Sequence, residues 1–240
     1  MKIVGISDIH GLLLDNIPEC DVVCIAGDIS PLKFQRNFPS MVPWLAKRFA
    51  TWANELPCEK VIFVAGNHDF VFENKEFRDS AIAAATAFDK IVYLENSTYK
   101  YKGKTFYGSP WVIGPSGWAF YDETKKLKMI ENTIPGKVDV AIFHQPLEYG
   151  DNGRVLQVPS WMVGSTYPSE LLKDPNFLHP SYGSTALDEI VEKKSPKLVM
   201  TGHVHSGNHE IVSLNDTMIV NVSILDEDYK KHYKPFESNI

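Results

Sequence analysis

Short runs rich in valine and isoleucine, each closed by small or polar residues, recur along the chain with segments of helical period between them. A bounded apolar run of about four to eight residues suits a buried strand, whereas apolar positions recurring at three- and four-residue spacing suit a helix. The predicted strands are 2–7, 21–26, 60–65, 105–109, 138–143 and 197–201, followed by a hairpin of 209–214 and 218–222 turning at Asn215-Asp216. A second hairpin, 97–107, turns at Lys102-Gly103-Lys104, where both lysines read as solvated. Helices are predicted at 42–55, 75–88, 122–132 and 184–193. The last has Ser184 and Thr185 as N-cap candidates, with Ala186, Leu187, Ile190 and Val191 on one face. Strands alternating with helices predict an α/β fold, read as one domain over 1–240.

Residues 145–183 follow neither period. This segment holds five of the fifteen prolines and four of the fifteen glycines, together with Trp161, Tyr167, Phe177 and Tyr182. Long loops in compact domains are usually lids or disordered, and the large aromatics favour an ordered covering loop whose ordering is offset by burying them.

Five predicted strands end in polar residues of one chemical kind: Asp8-Ile9-His10, Gly27-Asp28, Gly66-Asn67-His68-Asp69, His144, and Gly202-His203-Val204-His205. Side chains two apart on an extended segment share a face, so Asp8 with His10, and His203 with His205, are expected to point at one place beyond a strand end. In an α/β sheet that place is the crevice where ligands bind. Each motif alone is weak: an isolated Asp-x-His is more often a surface pair, and a Gly-Asp after a strand is usually a turn or a helix cap. Together they gather five of the eight histidines at strand termini. Histidine, carboxylate and one amide oxygen suit a borderline or hard divalent ion (Mn, Fe, Zn, Ni or Co), with no thiolate among them.

Charge and cysteine content narrow the function classes. The 24 Lys+Arg against 30 Asp+Glu leave the chain at −6, the wrong sign for holding long nucleic acid by its phosphates. With 44% hydrophobic residues the chain can bury a sizeable core, which excludes disorder as its main state. No stretch reaches the length of a membrane span. Cys20, Cys24 and Cys58 show no CxxC spacing and read as reduced thiols, so a cytoplasmic location is expected.

The order DxH, GD, GNHD, H, GHxH resembles the calcineurin-like metallophosphoesterases, from Lys2 to about Ser223. The resemblance implies an α/β architecture in which a two-layer β sandwich is flanked by helices and holds two divalent metal ions. It puts Asp8, His10 and His205 on the first ion, Asn67, His144 and His203 on the second, and Asp28 between them. His68 then lies near the scissile phosphate with Asp69 as its orienting partner. Such an ion pair clamps the phosphate and generates hydroxide near neutral pH.

Asp28 is followed by Ile29-Ser30-Pro31 rather than the Asp-Arg-Gly start of the protein phosphatases. Residues 107–111, 117–120 and 221–223 look like the small single-domain branch that includes the human MPPED proteins. That branch implies phosphodiesterase action on small nucleotide-like substrates. Its turn after the histidine is short, whereas His144-Gln145-Pro146-Leu147 leads into about thirty extra residues. Trp111, Trp118, Phe120 and Tyr121 are candidates either for core or for stacking a base. The alternatives are a phosphomonoesterase or nuclease of the same fold, and a non-catalytic binding or scaffold protein. The last should lack a ligand or the histidine beside the phosphate, and none is missing. Oligomeric state is not legible.

Overall fold

The computed structural model describes residues 1–114, 116–122, 130–174 and 177–240. Two sheets pack face to face. The first has five strands in the order β11-β1-β2-β3-β4, namely Phe236–Asn239, Lys2–Ile6, Cys20–Ala26, Cys58–Val64 and Ile91–Tyr93. The second has six in the order β5-β6-β7-β8-β10-β9, namely Ser97–Tyr101, Lys104–Ser109, Val140–Phe143, Leu198–Thr201, Thr217–Asn221 and Val212–Leu214. Strands β1 to β4 run parallel, as do β6, β7, β8 and β10; the antiparallel strands β11, β5 and β9 sit at the edges.

This arrangement follows from where the apolar side chains point. Ile3, Val22, Cys24, Ile62, Phe106, Ile142 and Met200 fill the layer between the sheets. Alternate residues such as Val4, Val23, Phe63 and Val199 face outward under the helices. Central strands are therefore buried on both faces and read as continuous apolar runs. Helix α1 (Phe38–Trp44) starts at Asn37, whose side chain accepts from the Ser40 N–H. Pro43 removes a donor inside that helix, and the chain widens into a π-helical turn at Leu45–Phe49 before α2 (Ala50–Glu55). Helix α3 is Arg78–Ala85, and α4 is Thr185–Lys194, capped by the Ser184 side chain on the Leu187 N–H.

Both hairpins turn where expected, with Asn215 at φ 53°, and Lys102 and Gly103 at φ 46° and 75°. Lys102 is ion-paired to Asp21 and Glu59 at 2.6 Å, not merely solvated. It ties the hairpin tip of one sheet to the strand starts of the other. Strands β4 and β11 escaped the sequence reading, β4 because three residues give no period and β11 because Phe-Glu-Ser-Asn holds one apolar residue. The first helix begins four residues earlier than its apolar period indicates, and 75–88 contracts to α3. The helix predicted at 122–132 falls mostly on 123–129, outside the described residues. No helix among the described residues is long and apolar enough to cross a membrane.

Candidate metal centre

The carboxyl ends of β1, β2, β3, β7 and β8 open onto one place, and each carries one of the polar motifs. The side chains converge by a different backbone route from simple pleating. Asp8, His10, Asp28 and His203 all have left-handed φ, at 52°, 39°, 53° and 71°. Non-glycine residues seldom adopt that region and hold it only where the surroundings over-determine it, typically at functional sites. The preceding glycines make room. A Cβ on Gly27, itself at φ 102°, would run into the His144 ring, and one on Gly202 into the Ser7 and Asp8 side chains.

Two overlapping sets of donor atoms result. In the first, His205 Nε2 lies 3.5 Å from Asp8 Oδ1 and 3.3 Å from His10 Nε2, which is 3.7 Å from Asp28 Oδ2. In the second, His144 Nε2 lies 3.5 Å from the same Asp28 oxygen and 2.9 Å from Asn67 Oδ1, which is 2.7 Å from His203 Nδ1. The rings are aimed by their other nitrogens. His144 Nδ1 donates to the Ala26 carbonyl at 2.7 Å and His205 Nδ1 to the Asp226 carbonyl at 2.8 Å, leaving both Nε2 lone pairs for the shared centre. Asp8 is fixed by the His203 N–H at 3.1 Å and by Ser223 Oγ at 2.7 Å.

Imidazole nitrogens converging with two buried carboxylates and no thiolate suit a pair of divalent cations. His10 differs from His144 and His205 in that its buried Nδ1 has no hydrogen-bond partner among the described residues. Asp8, His10 and His205, and likewise Asp8, Asp28 and His144, each offer atoms within 4.8 Å of one another.

The electrostatics carry the same signature. Burial raises the pKa of both Asp8 and Asp28, yet facing histidines (His205 for Asp8, His144 and His68 for Asp28) hold both carboxyls below the usual range. Burial opposes charge on His144 and His205 too, but Asp28 and Asp8 respectively lift each to about 9. His10 and His203 are pushed down to about 3, chiefly by burial. Without ions the cluster thus keeps protons on two of its four imidazoles, where cations would otherwise neutralise the carboxylates.

His68 sits beside this cluster, its Nε2 3.9 Å from Asp28 Oδ2, its backbone N–H donating to Asp28 Oδ1 at 2.8 Å and its ring 4.3 Å from Trp118. Its Nδ1 meets Gln35 Oε1 at 2.6 Å, so Gln35, not Asp69, orients the ring. The Asp69 carboxylate is turned to the N–H groups of Ile29, Ser30 and Gly66 at 3.2, 2.8 and 2.8 Å, stitching together the loops that carry Asp28 and Asn67. Burial and the Asp28 charge push Asp69 up to about 6. Sequence reasoning missed Gln35, which follows Gly27-Asp28 in a loop without a pattern, and Tyr229, whose ring centroid is 5.0 Å from that of His10. Trp111 and Phe120 are core, packed edge to face at 5.5 Å, whereas half-buried Trp118 stands at the site.

The segment 145–183 leaves and returns beside the cluster. The Gln145 side chain accepts from the Ile113 N–H at 2.8 Å and donates to the Tyr182 carbonyl at 2.7 Å, and the Tyr182 ring centroid is 6.5 Å from that of His203. Short 3₁₀ turns at Tyr149–Asp151, Ser160–Met162 and Leu171–Lys173 break it up. Trp161 is 65% exposed, so burial of that aromatic does not offset the ordering. Polar ties do more, among them Thr201 Oγ1 to Asn152 Oδ1 at 2.7 Å and the Gln157 N–H to Ser206 Oγ at 3.0 Å.

The chain is similar to known proteins along most of its length. Human metallophosphoesterase domain-containing protein 1 is 26% identical over 251 residues, covering 95% of this chain and 68% of that protein. A UPF0046 protein of Caenorhabditis elegans is 26% identical over 249 residues, covering 98% and 79%. The solved structure of TT1561 of Thermus thermophilus superposes with a TM-score of 0.57 at 12% identity, over 95% of this chain and 90% of that one, a likeness of fold. The sequence model described as calcineurin-like phosphoesterase matches residues 1–207, the stretch that contains all five motifs, and the chain belongs to that family.

Proposed function

We propose that this protein is a phosphodiesterase acting on small, nucleotide-like substrates, with residues 1–240 working as one catalytic domain. The observation that carries the reading is the pair of donor sets sharing Asp28, with His68 directly alongside. Asp8, His10, Asp28 and His205 would hold one divalent ion, and Asn67, His144, His203 and the same Asp28 the other. Such a pair supplies charge for the phosphoryl oxygens and a hydroxide nucleophile near neutral pH.

The chain's own residues do the rest. His68, oriented by Gln35 through Nδ1, presents Nε2 on the ligand side, where in its protonated form it donates to the leaving alkoxide. Asp69 keeps Asp28 and Asn67 in register by holding the backbones of their two loops together. The 145–183 segment covers one side of the centre and limits access to small esters. The free thiols of Cys20, Cys24 and Cys58 suit work in the reducing cytoplasm.

The test is a screen of metal-reconstituted protein on bis-p-nitrophenyl phosphate, p-nitrophenyl phosphate, 2′,3′- and 3′,5′-cyclic nucleotides and single-stranded DNA. Faster turnover of diesters than of the monoester, with little action on DNA, is expected. A preference for the monoester would make the protein a phosphatase, rapid digestion of DNA would make it a nuclease, and either would overturn the proposal.

A further inference from the structure

Residues from 155–167, Pro180, Tyr182 and the turn at residues 226–229 line a cavity of about 180 Å³ beside the candidate metal centre. Its wall includes Trp161, Met162, Tyr167, Tyr182, Glu227 and Tyr229. Two of these also stand against the ligand cluster. The Tyr229 ring centroid is 5.0 Å from that of His10 and 5.2 Å from that of His205, and the Tyr182 centroid is 6.5 Å from that of His203. One tyrosine therefore flanks each donor set, and the cavity begins one ring away from where a phosphoester would sit.

Tyr229 is held there against its backbone preference, at φ 59°. Asp226 clasps the turn, its Oδ1 accepting from the Asp228 and Lys230 N–H groups at 3.0 and 2.9 Å. The carbonyl of the same residue aims His205. Ser160 joins in from the covering segment, its N–H and Oγ donating to Asp228 Oδ1 at 2.8 and 2.9 Å. One small turn thus couples a ligand ring, a cavity wall and the loop.

The chemistry of the wall selects its occupant. A volume of about 180 Å³ is below the roughly 300–1,000 Å³ of a pocket for a whole ligand, so the cavity takes one part of a substrate. Aromatic faces and a thioether suit a flat ring. Trp161 is 65% exposed and Tyr182 44%, so neither is there chiefly to fill the core. Among the described lining residues there is no cation, and the one charged group is the Glu227 carboxylate, whose Oε1 accepts from the Ser206 N–H and Oγ at 2.9 and 2.8 Å. That wall repels a second phosphate and favours N–H donors.

Building on the phosphoester reading above, we propose that this cavity is a specificity subsite for a planar aromatic substituent bearing N–H donors, an aminopurine base. Trp161 and Tyr229 supply its stacking surfaces and Glu227 its acceptor.

The experiment is a calorimetric titration of metal-loaded protein with AMP and with ribose 5-phosphate, which carry the same phosphate and differ by the base. AMP should bind about ten-fold more tightly, the scale of one base–aromatic stack. Trp161→Ala, chosen because the side chain is largely exposed and its loss spares the core, should abolish most of that ratio while leaving metal content and ribose 5-phosphate affinity unchanged. Glu227→Gln should weaken AMP more than purine riboside 5′-monophosphate, which lacks the amine. Equal affinities of AMP and ribose 5-phosphate, binding by neither, or an unchanged ratio in Trp161→Ala would overturn the proposal. Since the ratio needs no turnover, a chain that hydrolyses no ester would refute the phosphoesterase reading separately.

Discussion

The metal-site loops and the covering segment lie side by side and are built on opposite terms. At the strand ends the key side chains are buried and held from two or more sides: Asp8 by His203 and Ser223, His144 by Ala26 and Asn67, and Asp69 by three backbone N–H groups. Among the described residues of 145–183 the turns are short, Leu178 and Trp161 are 77% and 65% exposed, and polar ties fix the path. The first region can hold only one arrangement, so its chemistry belongs to the fold. The second region's stretch 156–174, where no residue is buried, can vary with little disturbance of the core, so it is where substrate choice can be set.

The sharpest break falls on Asp28, shared by both donor sets. Asp28→Ala should lose both ions together and essentially all turnover, measured by elemental analysis and by hydrolysis of bis-p-nitrophenyl phosphate. Loss of a single ion would show that the two sets do not share it. His68→Ala should keep both ions, because its imidazole sits beside the sets, and lower turnover of alkyl esters roughly 10²- to 10⁴-fold. The loss should shrink for p-nitrophenolate, a leaving group needing little protonation; equal losses on both esters would assign His68 to positioning alone.

Replacing 153–180 with a short Gly-Ser linker tests the other side of the contrast. Metal content should stay intact while KM for nucleotide-sized diesters rises about ten-fold, the scale of a lost stacking contact. An unchanged KM across small and large esters would make the segment remote from substrate. A smaller effect concerns pH. In the metal-free protein His144 and His205 titrate near 9 against 6.5 when unfolded, so between those values the folded state binds more protons and stability falls as pH rises. His10 and His203, near 3 when folded and 6.5 when unfolded, are neutral in both states through most of that window and add little slope there. Urea midpoints should therefore decline from pH 7 to 9 in chelator, and the decline should vanish with metal bound, where the ligating rings carry no such protons. The same slope in both forms would contradict the proton assignment.

The two regions also differed in how far the sequence disclosed them. Strands such as Cys58–Val64 were legible because burial on both faces leaves a continuous apolar run, and the turn at Lys102-Gly103 because it needs positive φ. The polar motifs stood out by recurring at strand ends. Their convergence was anticipated from pleating, whereas Asp8, His10 and His203 reach the centre through left-handed backbone that local spacing does not reveal. Gln35 and Tyr229 were illegible for a related reason: each arrives from a loop whose path is set by distant contacts such as Asp226 with His205. Asp69 was paired with His68 by the family resemblance, but its carboxylate satisfies backbone N–H groups that only the folded loops bring near.

The central claim is a site for two ions that share one carboxylate. Elemental analysis of the intact chain after reconstitution with a single divalent metal and removal of the excess tests it most directly. The account predicts two ions per chain, and one ion or none would contradict it.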